Sequence, residues 1–141
     1  MAGPEAYDQW VQINISNFAK DTLDIEDSKL EWGKFYKNGD KDKEITPQQL
    51  DGTVIKDNAH ASVYSCGRED AASGTQGSLD LYDQRSQEKV CTIHWDCPWG
   101  SSTNTFGINN IAEDYSVVHG PYHKSGGALG VVKVSVNDSI H

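Results

Sequence analysis

Residues 11–16 read VQINIS, in which apolar and polar side chains alternate at every position. Because successive side chains of a β-strand point to opposite faces of a sheet, this pattern predicts a strand with one buried and one solvated face. The same two-residue period recurs at Leu23–Ile25, Leu79–Leu81 and Val132–Val136. The chain is therefore predicted to build sheets from half-buried strands.

Short apolar segments extend this pattern through the rest of the 141 residues. Further strands are predicted at residues 53–56, 61–66, 89–95, 104–108 and 115–118. Turn signals such as Asn38-Gly39 and Gly120-Pro121 separate the strands, and no segment combines a sustained helical period with helix caps. We expect an all-β fold, a single-domain antiparallel β-sandwich over residues 1–141 with little helix.

The formal charge of −9, from 21 acidic and 12 basic residues, narrows the classes of partner. No block of consecutive lysines or arginines is present to neutralise a row of phosphates, so nucleic acid is not an expected partner. A polybasic patch for anionic lipid is absent as well. Contact with a bilayer would therefore depend on apolar and aromatic side chains or on a specific headgroup.

The N-terminal sequence MAGPEAYDQW has neither the basic cluster nor the apolar run of a conventional signal peptide. No stretch approaches the roughly 20 apolar residues that span a bilayer. We expect a soluble chain without a classical signal peptide, released or secreted by a non-classical route and acting at the membrane of a target cell.

Residues that could support catalysis or metal binding lack the patterns that these functions need. Cys66, Cys91 and Cys97 match no zinc spacing and are expected to be small buried hydrophobes, with at least one thiol unpaired. No nucleophile elbow or phosphate-binding glycine loop occurs. The segment NGDKDKE (38–44) lacks the glycine and glutamate of a calcium loop and instead favours an Asn38-Gly39 hairpin. We expect no enzymatic activity, no cofactor and no metal site.

Four tryptophans are the remaining candidates for a functional surface. Trp10, Trp32, Trp95 and Trp99 each lie near a strand end or a glycine. Exposed tryptophan favours the membrane–water interface or a site where sugars stack. Trp99 is flanked by proline and glycine, so we expect it to lie in an exposed turn. Trp10 and Trp95 lie in alternating strands, where packing in the core is an equal alternative.

Five segments, in this order and spacing, resemble the signature segments of the aegerolysin family of fungal and bacterial proteins. They are AYDQW (6–10), EWGKFYKNGDKD (31–42), CGREDAASGTQGSLDLYD (66–83), WDCPWGSSTNTF (95–106) and SGGALG (125–130). Together they extend over nearly the whole chain.

This resemblance implies a small β-sandwich that binds membrane sphingolipids, either ceramide phosphoethanolamine or assemblies of sphingomyelin with cholesterol. It also implies the targeting component of a two-component cytolysin, whose larger partner carries a membrane-attack-complex/perforin domain. Such components oligomerise on the membrane, and several pairs of this kind are toxic to insects.

The resemblance also assigns roles to individual residues. Trp10, Trp32 and Trp99 match family tryptophans at the lipid-facing edge, and Trp95 matches the tryptophan before the Asp-Cys pair. Asp70 matches the acidic part of the C-G-R-x-D segment and is a candidate partner for a cationic ethanolamine group.

Three positions depart from the family pattern, and the first two are next to the implied headgroup site. Ser73 stands where some members have an acidic residue, and Ser102 stands where some have a lysine. Phe106 replaces a tryptophan and keeps an aromatic surface. Because the two charges are absent, the resemblance favours ceramide phosphoethanolamine or another phosphoethanolamine sphingolipid over sphingomyelin with cholesterol.

A second class of function fits the same aromatic residues. Tryptophans on the loops of a β-sandwich also stack on sugars, so the alternative is a lectin-like carbohydrate-binding module without membrane activity.

Overall fold

The computed structural model describes residues 6–68, 71–100 and 103–139. Within these ranges eleven strands form two sheets. The strands are β1 (Trp10–Asn17), β2 (Leu23–Trp32), β3 (Lys34–Lys37), β4 (Asp40–Ile45), β5 (Val54–Ile55), β6 (His60–Cys66), β7 (Thr75–Asp83), β8 (Lys89–Cys97), β9 (Thr105–Asn109), β10 (Tyr115–His119) and β11 (Gly130–Asp138). One sheet has the order β10-β11-β1-β6-β3-β4, and the other has the order β5-β2-β7-β8-β9.

The core lies between the two sheets and is built by the alternating strands. Val11, Ile13 and Ile15 are fully buried, and the polar residues between them on β1 are half-buried on the outer face. Burial of these apolar side chains is the main stabilising contribution to such a fold. The predicted all-β sandwich is confirmed.

The three cysteines also follow the sequence prediction. Cys66, Cys91 and Cys97 are buried free thiols. Burial raises the pKa of Cys66 to about 11 and that of Cys91 to about 12. Both groups are therefore protonated near neutral pH and behave as small apolar side chains.

One pairing differs from the expected antiparallel arrangement. β1 pairs with β6 in antiparallel fashion but with β11 in parallel, with Val11 opposite Gly130 and Ile13 opposite Val132. Hairpins join only antiparallel neighbours, and β11 is separated from β1 by most of the chain. The direction of β11 is therefore set by packing at long range, which local periodicity does not encode.

The Asn38-Gly39 hairpin is present as predicted, and it joins two strands, β3 and β4, that were not predicted from the sequence. Both turn residues have positive φ, 57° for Asn38 and 71° for Gly39, as a tight hairpin turn requires. The second strand, Asp40–Ile45, reads DKDKEI and has no alternation of apolar residues. It forms an edge of its sheet, where charged side chains discourage pairing with other chains.

A single turn of helix, α1 (Pro47–Leu50), interrupts the strands within the described ranges. Its capping box joins Thr46 and Gln49: the Thr46 hydroxyl accepts from the Gln49 N–H at 3.1 Å, and Gln49 Oε1 accepts from the Thr46 N–H at 2.8 Å. No helix in the described part of the chain has the length and apolar character to cross a membrane.

Candidate functional site

Trp32 is placed at a corner where the chain passes from one sheet to the other. It ends β2 in the five-stranded sheet, and β3 in the six-stranded sheet begins two residues later. Gly33 between them has φ +92°, and a Cβ there would lie 2.5 Å from the carbonyl oxygen of Cys66. Only glycine fits this backbone without strain. The corner leaves the Trp32 side chain 60% exposed.

Trp99 lies at the same end, in the turn that follows β8. Gly74, which precedes β7, packs so closely on this turn that a Cβ would collide with the carbonyl group of Cys97. Gly100 leaves the turn with φ +93°. Trp99 is 40% exposed, as its position between proline and glycine predicted.

Hydrogen bonds from Gln9 connect this turn to two other segments. Gln9 is buried, and its amide nitrogen is placed to donate to the carbonyl oxygens of Pro98 at 2.9 Å and Gly127 at 3.0 Å. Asn104 Nδ2 donates to the same Gly127 oxygen at 3.2 Å. The segments around residues 9, 98 and 127 are therefore held together beneath Trp99, which limits the movement of the turn.

The two exposed tryptophans line one cavity of about 370 Å³, which we name the tryptophan cleft. Its lining residues are Trp32, Ala72, Ser73, Gly74, Thr75, Gln76, Asp96, Cys97, Pro98 and Trp99. The volume is within the range of small-ligand sites in proteins. Two indole rings and a few polar groups suit a ligand that has both an apolar and a polar part.

Asp96 is the one charged side chain among the described residues that line the cleft. Burial raises the pKa of its carboxyl group above the ordinary value for aspartate. Nowhere in the described ranges does a donor or cation pair with this carboxylate at hydrogen-bonding distance. A partly desolvated, unpaired carboxylate beside two indole rings is suited to bind an organic cation.

Asp96 was not among the residues predicted from the sequence, although a signal for it was available. Trp95 and Cys97 on either side are buried in the core. Because strand side chains alternate between faces, a charged residue between two core residues must point outwards. Its position at the end of β8 then places it next to the exposed turn that carries Trp99.

Trp10 shares this end of the sandwich but does not line the cleft. Its carbonyl oxygen accepts a hydrogen bond from the Leu129 N–H at 2.9 Å. Its half-buried ring lies on the outer face of the six-stranded sheet, where Lys41 Nζ is 5.6 Å from the ring centroid. Of the three tryptophans expected at one edge, Trp32 and Trp99 therefore share the cleft, and Trp10 lies apart from them.

Trp95 and Phe106 are corrections to the expected lipid-facing set. Trp95 is 1% exposed and Phe106 is 6% exposed. They are opposite each other on β8 and β9, and both side chains point inwards. Trp95 Nε1 donates to the Thr75 hydroxyl at 3.0 Å, and its ring meets Phe35 edge-on at 6.0 Å. Neither ring offers surface to a bilayer in this structure.

The other predicted residues are distributed around the same end. Ser73 is half-buried and lines the cleft. Asp70 and Ser102 lie outside the described residues. Arg68, next to the Asp70 segment, forms a two-pronged ion pair with Glu44, at 2.9 and 2.7 Å.

Comparison with known proteins gives consistent matches over nearly the whole chain. A family model described as Aegerolysin matches residues 8–139. Asp-hemolysin of Aspergillus fumigatus is 45% identical over 96% of this chain and 97% of its own length. Ostreolysin A6 of Pleurotus ostreatus is 38% identical over 92% and 94%, respectively. A crystal structure of RahU protein in complex with a Tris molecule has a TM-score of 0.90 and 33% identity, covering 96% of this chain and 99% of that one.

These relatives support a lipid-binding role associated with cytolysis and hemolysis. The matching family consists of non-enzymatic proteins that bind membrane lipids. The family model matches residues 8–139, and the relatives are similar over nearly their full length. The chain belongs to the aegerolysin family.

Proposed function

We propose that this chain binds sphingolipids with a phosphoethanolamine headgroup, ceramide phosphoethanolamine above all, on the surface of a target cell. The observation that supports this proposal is that two exposed tryptophans lie in one cleft with the Asp96 carboxylate, which has no partner among the described residues. The rings enter the interfacial region of the bilayer, where indole is favoured. The carboxylate of Asp96 receives the ammonium group.

The polar groups of the cleft match a zwitterionic headgroup. Asp96 supplies the negative charge, and Ser73 and Gln76 supply donors for the phosphate oxygens. RahU, a relative, was crystallised with Tris, which carries a primary amine as ethanolamine does. Asp70 and Ser102, which lie outside the described residues, are proposed from the family resemblance as further headgroup contacts, and Trp10 as a contact on the flank.

The negative charge of the chain fits this membrane preference. A formal charge of −9 disfavours adhesion to anionic bilayers, whereas a zwitterionic surface carries no net charge to repel it. Tight binding to the membrane then requires many copies on one membrane, because each copy inserts only two rings.

We further propose that the chain is the non-enzymatic targeting component of a two-component cytolysin or insecticidal pore former. It oligomerises on the membrane and recruits a partner with a membrane-attack-complex/perforin domain. The names of Asp-hemolysin and ostreolysin among its relatives support the cytolytic part of this proposal.

Sedimentation with vesicles tests the proposed function directly. Phosphatidylcholine vesicles that contain ceramide phosphoethanolamine should bind the chain at least about tenfold more tightly than vesicles with sphingomyelin and cholesterol, since only the primary ammonium donates hydrogen bonds to a carboxylate. Binding should change less than about threefold between low and physiological salt, because buried rings are not screened. Equal binding to phosphatidylcholine alone would reject the proposal.

Asp96→Asn should weaken binding to ceramide phosphoethanolamine vesicles about tenfold, because a hydrogen bond to a charged group is lost. The raised pKa of Asp96 has a further consequence. The carboxylate protonates at a higher pH than an ordinary aspartate, so wild-type binding should fall as the pH drops through that raised pKa, and the Asp96→Asn variant should lack this dependence.

Glu113→Gln is the matched control for this variant. Glu113 is an exposed carboxylate in the connection between β9 and β10, at the opposite end of the sandwich. Its replacement changes the net charge by the same amount and should leave vesicle binding unchanged. If both variants weaken binding equally, net charge rather than the cleft controls affinity.

A further inference from the structure

A polar groove continues from the tryptophan cleft along the outer face of the five-stranded sheet. It has a volume of about 220 Å³, and Gln76 and Asp96 line both it and the cleft. The polar side chains that line it are Glu31, Gln76, Ser78, His94, Asp96 and Thr105. A ligand held between the tryptophans can therefore extend directly onto this face.

The polar side chains of this groove have no side-chain partner among the residues that the structure describes. Within the described ranges, no side-chain hydrogen bond or ion pair joins any of its six polar side chains to another group. Farther along the same sheet face the polar groups are paired: Thr92 donates to Asp80 at 2.7 Å, and Lys89 lies 3.4 Å from the same carboxylate. One face thus divides into a paired half and an unpaired half, and the unpaired half adjoins the cleft.

A glycine on the neighbouring strand makes room for one of these groups. Gly107 of β9 is opposite His94 of β8, and a Cβ at residue 107 would lie 2.7 Å from the His94 ring atoms Cε1 and Nε2. The imidazole ring therefore lies over Gly107, in the space that a Cβ would take. Neither ring nitrogen has a hydrogen-bond partner among the described residues, so both are available to a ligand.

The composition of the groove indicates the class of ligand. Two carboxylates, an amide, an imidazole and two hydroxyls offer both donors and acceptors, which is the pattern that sugar hydroxyls require. No lysine or arginine is present among its described lining residues, so a ligand with net negative charge, such as an acidic sugar, would be repelled by its two carboxylates. The exposed face of Trp32 at the adjoining cleft supplies a surface on which a sugar ring can stack.

We propose that this groove is a subsite for a neutral hexose, presented to the protein as the headgroup of a glycolipid. The proposal goes beyond the phosphoethanolamine function and does not require it. The hexose hydroxyls bond to His94, Ser78 and Gln76, and the lipid continues past the tryptophans into the bilayer.

The first test uses a soluble sugar and a membrane-borne sugar separately. Methyl β-glucopyranoside or methyl β-galactopyranoside should shift the amide resonances of Ser78, His94 and Thr105 in a nitrogen–proton correlation spectrum. Vesicles of phosphatidylcholine with glucosylceramide or galactosylceramide should sediment the chain more strongly than phosphatidylcholine alone. Shifts with a soluble sugar together with vesicle binding support a glycolipid ligand, and shifts alone overturn the membrane part of the proposal.

Variants then locate the sugar. His94→Ala and Ser78→Ala should each weaken binding to hexosylceramide vesicles about tenfold, through loss of a hydrogen bond in a sheltered site. Binding of both variants to ceramide phosphoethanolamine vesicles should stay within about twofold of the wild type. Thr92→Val, on the paired half of the same face, is the matched control and should change neither.

Several results would overturn this assignment. They are the absence of binding to either hexosylceramide, shifts produced by spermidine but by no sugar, and equal effects of Thr92→Val and His94→Ala. Ceramide phosphoethanolamine binding is measured on the same samples. If the wild-type protein binds hexosylceramide vesicles but not ceramide phosphoethanolamine vesicles, the proposed function is rejected and the sugar subsite is retained.

Discussion

Replacing both Trp32 and Trp99 with alanine should reduce binding to ceramide phosphoethanolamine vesicles by at least about a hundredfold. The two side chains are 60% and 40% exposed, which together is about one whole indole side chain, or roughly 200 Å². At about 25 cal/mol per Å², removing this surface from water is worth at most about 5 kcal/mol. Immobilisation of the lipid and protein reduces this binding free energy. A remaining contribution of about 3 kcal/mol still corresponds to more than a hundredfold in affinity.

Phe18→Ala is the matched control for the double variant. Phe18 is 56% exposed, so it is as accessible as Trp32, but it follows the other end of β1. Its loss should leave vesicle binding unchanged, since that end faces away from the membrane in the proposed orientation. The melting temperature of the double variant should stay within about 3 °C of the wild type, because exposed side chains contribute little to stability. Equal loss of binding in both variants would show that general surface hydrophobicity drives adhesion.

Strands with an apolar and a polar face could be predicted from the sequence because their period reports burial directly. β1 is the clearest case, since its three apolar residues are all in the core. Asp40–Ile45 could not be predicted in this way, because an exposed edge strand has no apolar face to leave a period. The parallel pairing of β1 with β11 was also beyond reach, because it depends on contacts between residues far apart in the sequence.

The candidate site was predicted in part, for a related reason. The turn residues around Trp99 indicated exposure, and the family resemblance implied a lipid-facing position for Trp32; both side chains are exposed. Trp10 also lies beside a strand end in the sequence, yet its ring lies on the outer face of the other sheet. Which sheet a strand joins is not written in its own residues. The cleft is formed by segments that are far apart in the sequence, so it can be located only when the arrangement of the strands is known.

Trp95→Ala should produce the opposite result to the tryptophans of the cleft. Its ring is almost completely buried, packs edge-on against Phe35 and donates a hydrogen bond to Thr75. Replacing a buried tryptophan with alanine costs about 3–5 kcal/mol, through lost burial and the cavity that remains. For a chain of this size the melting temperature should fall by about 10–17 °C, as measured by calorimetry or circular dichroism.

Binding of Trp95→Ala to vesicles, measured well below its melting temperature, should stay within about threefold of the wild type, because distant effects on affinity are small when the fold persists. Trp95→Phe separates the two contributions. It keeps most of the packing, loses the bond to Thr75 and should cost about 1–3 kcal/mol through the lost hydrogen bond and the smaller ring, while the Thr75 hydroxyl keeps its bond with Ser65. A Trp95→Ala protein that melts like the wild type but no longer binds vesicles would place Trp95 at the lipid surface, and the core assignment for this ring would be wrong. Because Trp95 and Trp99 are only four residues apart, loss of stability in Trp95→Ala and loss of binding in the double Trp32/Trp99 variant would show that a stabilising residue and a membrane-binding residue lie side by side at the end of β8.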